Sequence, residues 1–261
     1  MVKLDAVEIG NPCWVDVMTS DAAATRAFYG ELLGWEAEEA DPEFGGYFNF
    51  TKDGARIAGA MTNQGGGMPD VWSIYIAVAD AEATCEKVKA AGGSVMVEPM
   101  AVGTLGSMAV VIDPTGAVIG MWQPGDHKGF GYVAEPGAPG WFELFTKDYE
   151  ASRTFYADAF GWDLHKVSDE DDFKYSTLHE GDAQAAGIMD AAGFLPDEVP
   201  PHWSVYFAVE DVDKTLAQAV ELGGSIEAPA QDTPYGRLAT AVDPTGARFK
   251  VMGPNVEGDG A

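Results

Sequence analysis

WVDVMTSDAAATRAFYGELLGW spans residues 14–35, and WFELFTKDYEASRTFYADAFGW spans residues 141–162. The two stretches align at a constant offset of 127 (141 − 14 and 162 − 35). W-S-x-Y-x-A-V-x-D at 72–80 recurs at 203–211, and D-P-T-G-A at 113–117 recurs at 243–247. A repeat of this length exceeds the roughly 20 to 50 residues of a solenoid unit. The sequence therefore predicts two copies of one complete domain.

Length and charge restrict the class of protein. A chain of 261 residues is long enough for two domains, each with its own core. Its 15 basic and 42 acidic side chains give a net charge of −27, which repels nucleic acid and anionic membrane surfaces. We therefore expect neither nucleic acid nor a membrane as a partner, and the aromatic side chains described below lead us to expect a small-molecule ligand. Whether the chain forms homo-oligomers is left open.

Cysteine content and the start of the chain point to the cellular compartment. Cys13 and Cys85 are the only cysteines, which excludes a disulfide framework. The first ten residues, MVKLDAVEIG, carry acids where a signal peptide has its apolar stretch, and no run of eighteen apolar residues occurs. We therefore expect a soluble, cytoplasmic protein.

Each copy divides into two β-α-β-β-β modules. In the first module, alternation over 13–18 predicts a strand, and Asp21 and Gly34 are typical of the start and end of a helix. Asp113-Pro114-Thr115-Gly116 is typical of a hairpin turn. The stretch after residue 124 is rich in glycine and proline, which predicts domains at 1–125 and 138–261 with a linker at 126–137. His127 in this linker is expected to be solvated, and Gly65-Gly66-Gly67 is expected to connect the modules flexibly.

The four modules, with F-Y-x-x-x-L-G-W in the first helix and D-P-T-G in the last hairpin, resemble the vicinal oxygen chelate superfamily. This superfamily includes glyoxalase I, bleomycin resistance proteins and extradiol dioxygenases. The resemblance is greatest to its paired-domain actinobacterial members labelled glyoxalase-like or hydroxylase, among them a mycobacterial antigen. It implies an α+β fold of two tandem domains, each with two βαβββ modules that form an open, cup-shaped sheet with helices outside.

The resemblance also implies where a metal would bind. The usual ligand positions fall on Trp14, Ser73 and Gly120 in the first copy, and on Trp141, Ser204 and Lys250 in the second. None of these side chains is a good donor to a divalent metal. No cofactor is therefore predicted, although a divalent metal held by Glu143 and His202 remains an alternative.

Strand alternation predicts the contents of each cup, because residues two apart share a face. We call the two concave faces the N-terminal cup and the C-terminal cup. The N-terminal cup is predicted to contain Trp14, Asp16, Ser73, Tyr75, Val118 and Trp122. The C-terminal cup is predicted to contain Trp141, Glu143, His202, Ser204, Tyr206, Arg248, Lys250 and Met252. An ion pair from Glu143 to Lys250 or Arg248 is expected to close the C-terminal cup, with an anion site as the alternative.

Three functions remain open at this point. The favoured one is metal-independent binding of a small apolar or aromatic molecule in the N-terminal cup, by stacking on Trp14, Tyr75 and Trp122, unless these rings simply fill it. The second is a lyase, isomerase or dioxygenase of the same superfamily, with or without a metal, in which Asp16 or Glu143 is the catalytic base. The third is an acidic regulatory protein that binds a protein partner. The sequence does not decide whether the chain is an enzyme.

Overall fold

The computed structural model describes residues 4–65 and 67–256. Gly66, in the middle of the predicted glycine connection, lies outside the described residues, as do both chain ends. In the first half, the elements are Pro12–Thr19 (β1), Ala22–Leu33 (α1), Glu36–Ala37 (β2), Phe48–Lys52 (β3), Ala55–Thr62 (β4), Val71–Ala77 (β5), Ala81–Ala90 (α2), Ser94–Val102 (β6), Gly106–Ile112 (β7) and Val118–Pro124 (β8). These strands form one sheet in the order β2-β3-β4-β1-β5-β8-β7-β6.

The second half repeats this topology. Its elements are Pro139–Thr146 (β9), Tyr149–Phe160 (α3), Leu164–Glu170 (β10), Phe173–Leu178 (β11), Ala186–Asp190 (β12), His202–Ala208 (β13), Val212–Glu221 (α4), Ser225–Thr233 (β14), Gly236–Val242 (β15) and Arg248–Gly253 (β16). The strand order is β10-β11-β12-β9-β13-β16-β15-β14. Two β-α-β-β-β modules thus pair within each half, and the predicted α+β architecture of two tandem open sheets is confirmed.

Local signals set the ends of the first helix. The Asp21 carboxylate accepts hydrogen bonds from the backbone N–H groups of Ala23 at 3.0 Å and Ala24 at 2.9 Å. Gly34 ends the helix with φ of +70°, a left-handed conformation that glycine adopts without strain. The predicted helix start and end are therefore confirmed.

The helix-bearing faces of the two sheets pack against each other. Strand β5 contacts β13, helix α1 contacts α4, and α2 contacts α3. One hydrophobic cluster extends through both halves, and within it Tyr29 and Phe28 of α1 meet Phe249 of β16 with ring centroids 5.7 and 6.0 Å apart. The two cups therefore face away from each other.

Reciprocal hydrogen bonds join the halves. Tyr29 donates its hydroxyl to Asp243 at 3.1 Å, and in the mirrored arrangement Tyr156 donates to Asp113 at 3.3 Å. The indole N–H of Trp72 donates to the Tyr29 hydroxyl at 2.8 Å. The repeated tyrosine and the repeated D-P-T-G aspartate thus serve the interface between the copies as well as their local elements.

The predicted linker region is packed onto both halves. Phe130 and Tyr132 are buried, and the Phe130 ring stacks on Phe142 of β9 with centroids 5.6 Å apart. No helix in the described part of the chain is long and apolar enough to cross a membrane.

Candidate functional site

A cavity of about 630 Å³ lies in the C-terminal cup. Its walls come from all eight strands of the second half, β9 to β16, together with the β11–β12 connection and the turn that joins β14 to β15. The lining is mainly aromatic and aliphatic, with a few polar groups: Trp141, Glu143, Phe145, Val167, Phe173, Tyr175, Thr177, Gln184, Met189, Tyr206, Thr233, Pro234, Tyr235, Leu238, Lys250 and Met252. This composition is typical of sites for small organic molecules.

Several predicted residues of this cup line the cavity, and others do not. Trp141, Glu143, Tyr206, Lys250 and Met252 line it. The sequence analysis missed the rings that β11 and the β14–β15 turn contribute: Phe173, Tyr175 and Tyr235. Alternation along β11 places Phe173 and Tyr175 on one face and was the available signal for these two.

Glu143 is the buried carboxyl group of this cavity, with 5% of its surface exposed. It accepts a short hydrogen bond from the Tyr206 hydroxyl, and Tyr175 is a second hydrogen-bonding partner. Gly187 pairs with Glu143 across the sheet, and its missing side chain leaves the space that the Tyr175 ring occupies. Burial raises the pKa of Glu143, while the tyrosine hydrogen bonds and the charge of Lys250 oppose the rise.

Lys250 enters the same cavity without a carboxylate partner. Its Nζ donates to Thr240 Oγ1 at 3.2 Å and lies 4.7 Å from the Phe145 ring centroid and 5.2 Å from that of Tyr206. In the part of the chain that the structure describes, no carboxylate lies within 4.0 Å of this amine. The expected ion pair from Glu143 to Lys250 is therefore wrong, because the glutamate is held by tyrosine hydroxyls and the cup stays open.

Three other predicted residues lie away from the cavity lining. Arg248 forms an ion pair with Glu227, so the alternative pairing of Arg248 with Glu143 is also wrong. The His202 ring stacks on Phe145 with centroids 5.4 Å apart, and its Nδ1 lies 2.9 Å from the Pro200 carbonyl oxygen. Ser204 pairs in register with Glu143 and is buried.

Aromatic side chains pack closely in the N-terminal cup. Trp14 and Trp122 are 5% and 8% exposed, whereas Val118 lies on the surface. Tyr75 lies directly over Gly120, where an added Cβ would come within 2.3 Å of the tyrosine ring. The His127 ring packs edge-on against the Trp14 ring, with centroids 4.3 Å apart. This linker residue was expected to be solvated but packs in the cup.

The connection between the second and third strands of each half explains part of the difference between the closely packed N-terminal cup and the open C-terminal cup. In the first half, β2 is short, and a 3-10 helix at Pro42–Phe44 follows it. The Phe44 ring reaches the β6–β7 turn, where a Cβ on Gly103 would lie 3.3 Å from it. In the second half, β10 continues to Glu170 and returns directly into β11. Only the N-terminal cup thus carries this additional turn.

Asp16 is the carboxyl group of the N-terminal cup and corresponds to Glu143 in the repeat. The hydroxyl oxygens of Tyr47 and Tyr75 each lie 3.4 Å from one of its carboxylate oxygens. Tyr47 also accepts a hydrogen bond from the Trp14 indole at 2.8 Å. Burial raises the pKa of Asp16 to about 6, and hydrogen bonds from Tyr75, Tyr47 and Ser73 limit the rise.

The raised pKa of Asp16 predicts a specific dependence of stability on pH. Between the ordinary value of 3.8 and about 6, the unfolded chain releases this proton while the folded chain retains it. The free energy of unfolding should therefore fall as pH rises through this window, by about 2 to 3 kcal/mol. The variant Asp16→Asn should lack this contribution, as measured by urea denaturation at several pH values between 4 and 7. Parallel pH profiles for the two proteins would contradict the assignment.

The side chains at the usual metal positions do not fit a divalent metal. The N-terminal cup offers an indole, a hydroxyl and a glycine there, and the C-terminal cup offers an indole, a hydroxyl and an amine. Across residues 4–65 and 67–256, no group of three or more His, Cys, Asp or Glu side chains is placed to hold a metal ion. We derive no chemical step through a metal, and metal independence itself stays a prediction.

Comparison with known proteins identifies the relatives of this chain. The model of the Glyoxalase/Bleomycin resistance protein/Dioxygenase superfamily matches residues 12–121 and 138–251. Anthracycline biosynthesis protein DnrV of Streptomyces peucetius is 39% identical over an alignment of 263 positions, and the alignment covers 93% of this chain and 93% of DnrV. Putative glyoxylase CFP32 of Mycobacterium tuberculosis (strain CDC 1551 / Oshkosh) is 38% identical, covering 97% of this chain and 98% of CFP32.

Solved structures share the fold at low sequence identity. The Mn(II)-bound glyoxalase from Novosphingobium aromaticivorans is 18% identical, with a TM-score of 0.63 over 97% of this chain and 85% of that one. The 2,3-dioxygenase LapB from Pseudomonas sp. KL28 is 16% identical, with a TM-score of 0.65 over 96% of this chain and 95% of LapB. These similarities concern the arrangement of the strands and helices and leave the chemistry of the cups open.

Proposed function

Because the chain belongs to the Glyoxalase/Bleomycin resistance protein/Dioxygenase superfamily, as its sequence predicted, we propose that it binds a small aromatic molecule in the C-terminal cup. The observation that carries this proposal is the cavity of about 630 Å³. Its size falls within the roughly 300 to 1,000 Å³ of small-molecule sites. The cytoplasmic location predicted from the sequence remains part of the same proposal.

The geometry favours the C-terminal cup over the N-terminal cup that the sequence favoured. In the N-terminal cup, Tyr75 covers Gly120 and His127 packs against Trp14. In the C-terminal cup, Lys250 occupies the position of Gly120, and the equivalent Tyr206 donates its hydroxyl to Glu143. Ligand binding in the N-terminal cup stays a prediction, and it would require movement of these packed rings.

The cavity walls support a flat, aromatic ligand with polar substituents. Phe173 and Tyr175 present stacked rings with centroids 5.9 Å apart, and offset stacking on such rings stabilises aromatic guests. Glu143 and Lys250 bring a carboxyl group and an amino group to the lining that could orient polar atoms of that guest. Two relatives are named anthracycline biosynthesis proteins, which makes an anthracycline a reasonable first probe.

Binding should weaken when Phe173 is replaced by alanine. Loss of one stacking ring is expected to raise the dissociation constant of an anthracycline about tenfold. Phe44→Ala is a matched control, because Phe44 is a half-buried aromatic residue in the equivalent connection of the N-terminal half. Isothermal titration calorimetry on both variants gives the comparison. A loss confined to Phe44→Ala would place the ligand in the N-terminal cup instead.

A second candidate is proton-transfer catalysis of the lyase or isomerase type in the same cup. It is favoured by the buried Glu143, whose pKa is raised and which Tyr206 holds by a hydrogen bond. Glu143→Gln would then keep ligand binding but abolish turnover of a bound substrate. The dioxygenase alternative involves a metal that the cup residues do not fit, and the acidic regulatory alternative stays a prediction from charge alone.

A further inference from the structure

We propose that Lys250 is a reactive amine that captures an aldehyde or ketone group of the cup ligand as an imine. This inference rests on the proposed ligand site in the C-terminal cup and adds a substrate class to it, namely aromatic carbonyl compounds. It also assigns Lys250 a covalent role that the usual chemistry of this scaffold does not require.

The geometry around Lys250 is that of an amine held inside an apolar site. The side chain lines the cavity, and Nζ makes its one side-chain hydrogen bond in the described structure to the neutral hydroxyl of Thr240, at 3.2 Å. The rings of Phe145 and Tyr206 flank it at 4.7 and 5.2 Å. The Thr240 contact leaves two of the three donor positions of an ammonium group, or the lone pair of a neutral amine, available to a guest in the cavity.

The charged groups around Lys250 come from three strands. Glu143 of β9 and Glu227 of β14 favour its protonated form, whereas burial and Arg248 of β16 disfavour it. Burial is the largest effect, so the pKa of Lys250 lies below that of an ordinary lysine. A lysine desolvated in an apolar pocket is the kind that acts as a nucleophile toward carbonyl groups.

The N-terminal cup lacks this arrangement. Gly120 stands where Lys250 stands in the C-terminal cup, and its partner across the sheet is Val110 in place of Thr240. The amine and its hydroxyl partner therefore occur in the cup that contains the cavity. The N-terminal cup therefore provides a comparison within the same chain, because it has the same fold but lacks this amine and its hydroxyl partner.

The chemistry needs no oxidant or reductant. The lone pair of neutral Lys250 Nζ attacks the carbonyl carbon, and the C=O π electrons move to oxygen, which takes up a proton to form a carbinolamine. The hydroxyl group gains a second proton and leaves as water. Nitrogen releases one proton as the carbinolamine forms and another as the C=N bond forms, so the two protons gained by oxygen equal the two lost by nitrogen. The products are one C=N bond and one water molecule. Ligands without a carbonyl group would occupy the cavity but form no bond.

Reductive trapping tests the proposal directly. The full-length protein is incubated at pH 7 with 2-naphthaldehyde and sodium cyanoborohydride, and the modified residues are identified by peptide mass mapping. We expect one naphthylmethyl group per chain on Lys250, formed about tenfold or more faster than on an exposed lysine such as Lys87. The variants Lys250→Arg, which keeps the charge, and Lys250→Met, which keeps the length, should lose this label. Labelling at equal rates on Lys250 and Lys87 overturns the proposal.

A carbonyl-free analogue separates this proposal from the binding function. The titration is repeated with 2-naphthylmethanol, which has the same ring system but cannot form an imine. If the alcohol binds and Phe173→Ala weakens its binding while the aldehyde leaves Lys250 unlabelled, the imine proposal fails and the ligand site stands. If neither compound nor an anthracycline binds, the ligand site fails as well. Selective labelling of Lys250 that excess alcohol suppresses supports both.

Discussion

Replacing Asp243 with alanine is expected to lower the free energy of unfolding by on the order of 4 kcal/mol. One carboxylate oxygen of this buried residue accepts hydrogen bonds from Thr245 N, Thr245 Oγ1 and Ala247 N at 2.9, 2.8 and 2.9 Å. The other accepts from the Tyr29 hydroxyl of the first half. Alanine would leave the buried Tyr29 O–H and Ala247 N–H without their partner, and unsatisfied buried donors are costly.

Guanidinium denaturation followed by circular dichroism measures this loss. Asp113→Ala should match it, because Asp113 makes the same set of bonds and accepts from Tyr156. Asp158→Ala, at an exposed helix position, should change the stability by less than about 0.5 kcal/mol. Since each aspartate serves both halves, unfolding should remain a single transition. Separate transitions in which only one half is destabilised would show that the reciprocal bonds do not couple the domains.

Replacing Gly120 with alanine is expected to cost about 2 kcal/mol of stability through overpacking. The new Cβ would lie 2.3 Å from Cδ1 and 2.7 Å from Cγ of Tyr75. The conflict involves the base of the ring, so a small rotation of the side-chain end cannot relieve it. Tyr75 would have to leave its place over Gly120, and the contact of its hydroxyl with Asp16 would be disturbed.

Gly193→Ala is the matched control, because an added Cβ at that position meets no atom within 4 Å. Thermal unfolding of the two variants gives the difference in stability, and titration with the anthracycline probe reports on the C-terminal cup, which should be unaffected. Equal stability of the two variants would mean that Tyr75 leaves Gly120 easily. The N-terminal cup would then open at little cost and become a ligand site, as the sequence analysis favoured.

Local sequence patterns were sufficient for the elements of the fold. The helix of residues 22–33 begins after Asp21 and ends at Gly34, because a side-chain cap and a left-handed glycine act within one helical turn. The D-P-T-G turn joins β7 to β8 because Asp113 accepts hydrogen bonds from residues that follow it directly. Alternation predicted that Trp14 shares a face with Tyr75 and that Trp141 shares a face with Tyr206, and the strand register pairs each of them directly.

The interior of each cup depended on contacts that are distant in sequence. His127 was expected to be solvated, yet it packs on Trp14, more than a hundred residues before it (127 − 14 = 113). The expected ion pair between Glu143 and Lys250 does not form, because Tyr175 and Tyr206 reach the glutamate and Thr240 holds the lysine. The composition of the strands did not indicate which of these side chains would bind Glu143 and which would bind Lys250.

The sequence by itself therefore determined the repeat, the modules and the alternation along the strands, because hydrogen-bonded turns, caps and two-residue alternation are local. The residues of the predicted C-terminal cup that line the cavity are Trp141, Glu143, Tyr206, Lys250 and Met252. Only the tertiary structure decided that Tyr75 covers Gly120, that Tyr206 bonds to Glu143 beside Lys250, and that a cavity lies in the C-terminal cup. It also decided that Tyr29 and Asp243 join the halves. At these sites, side chains from strands far apart in the chain compete for the same space and the same hydrogen-bond partners. Which of them makes the contact depends on how the whole molecule packs.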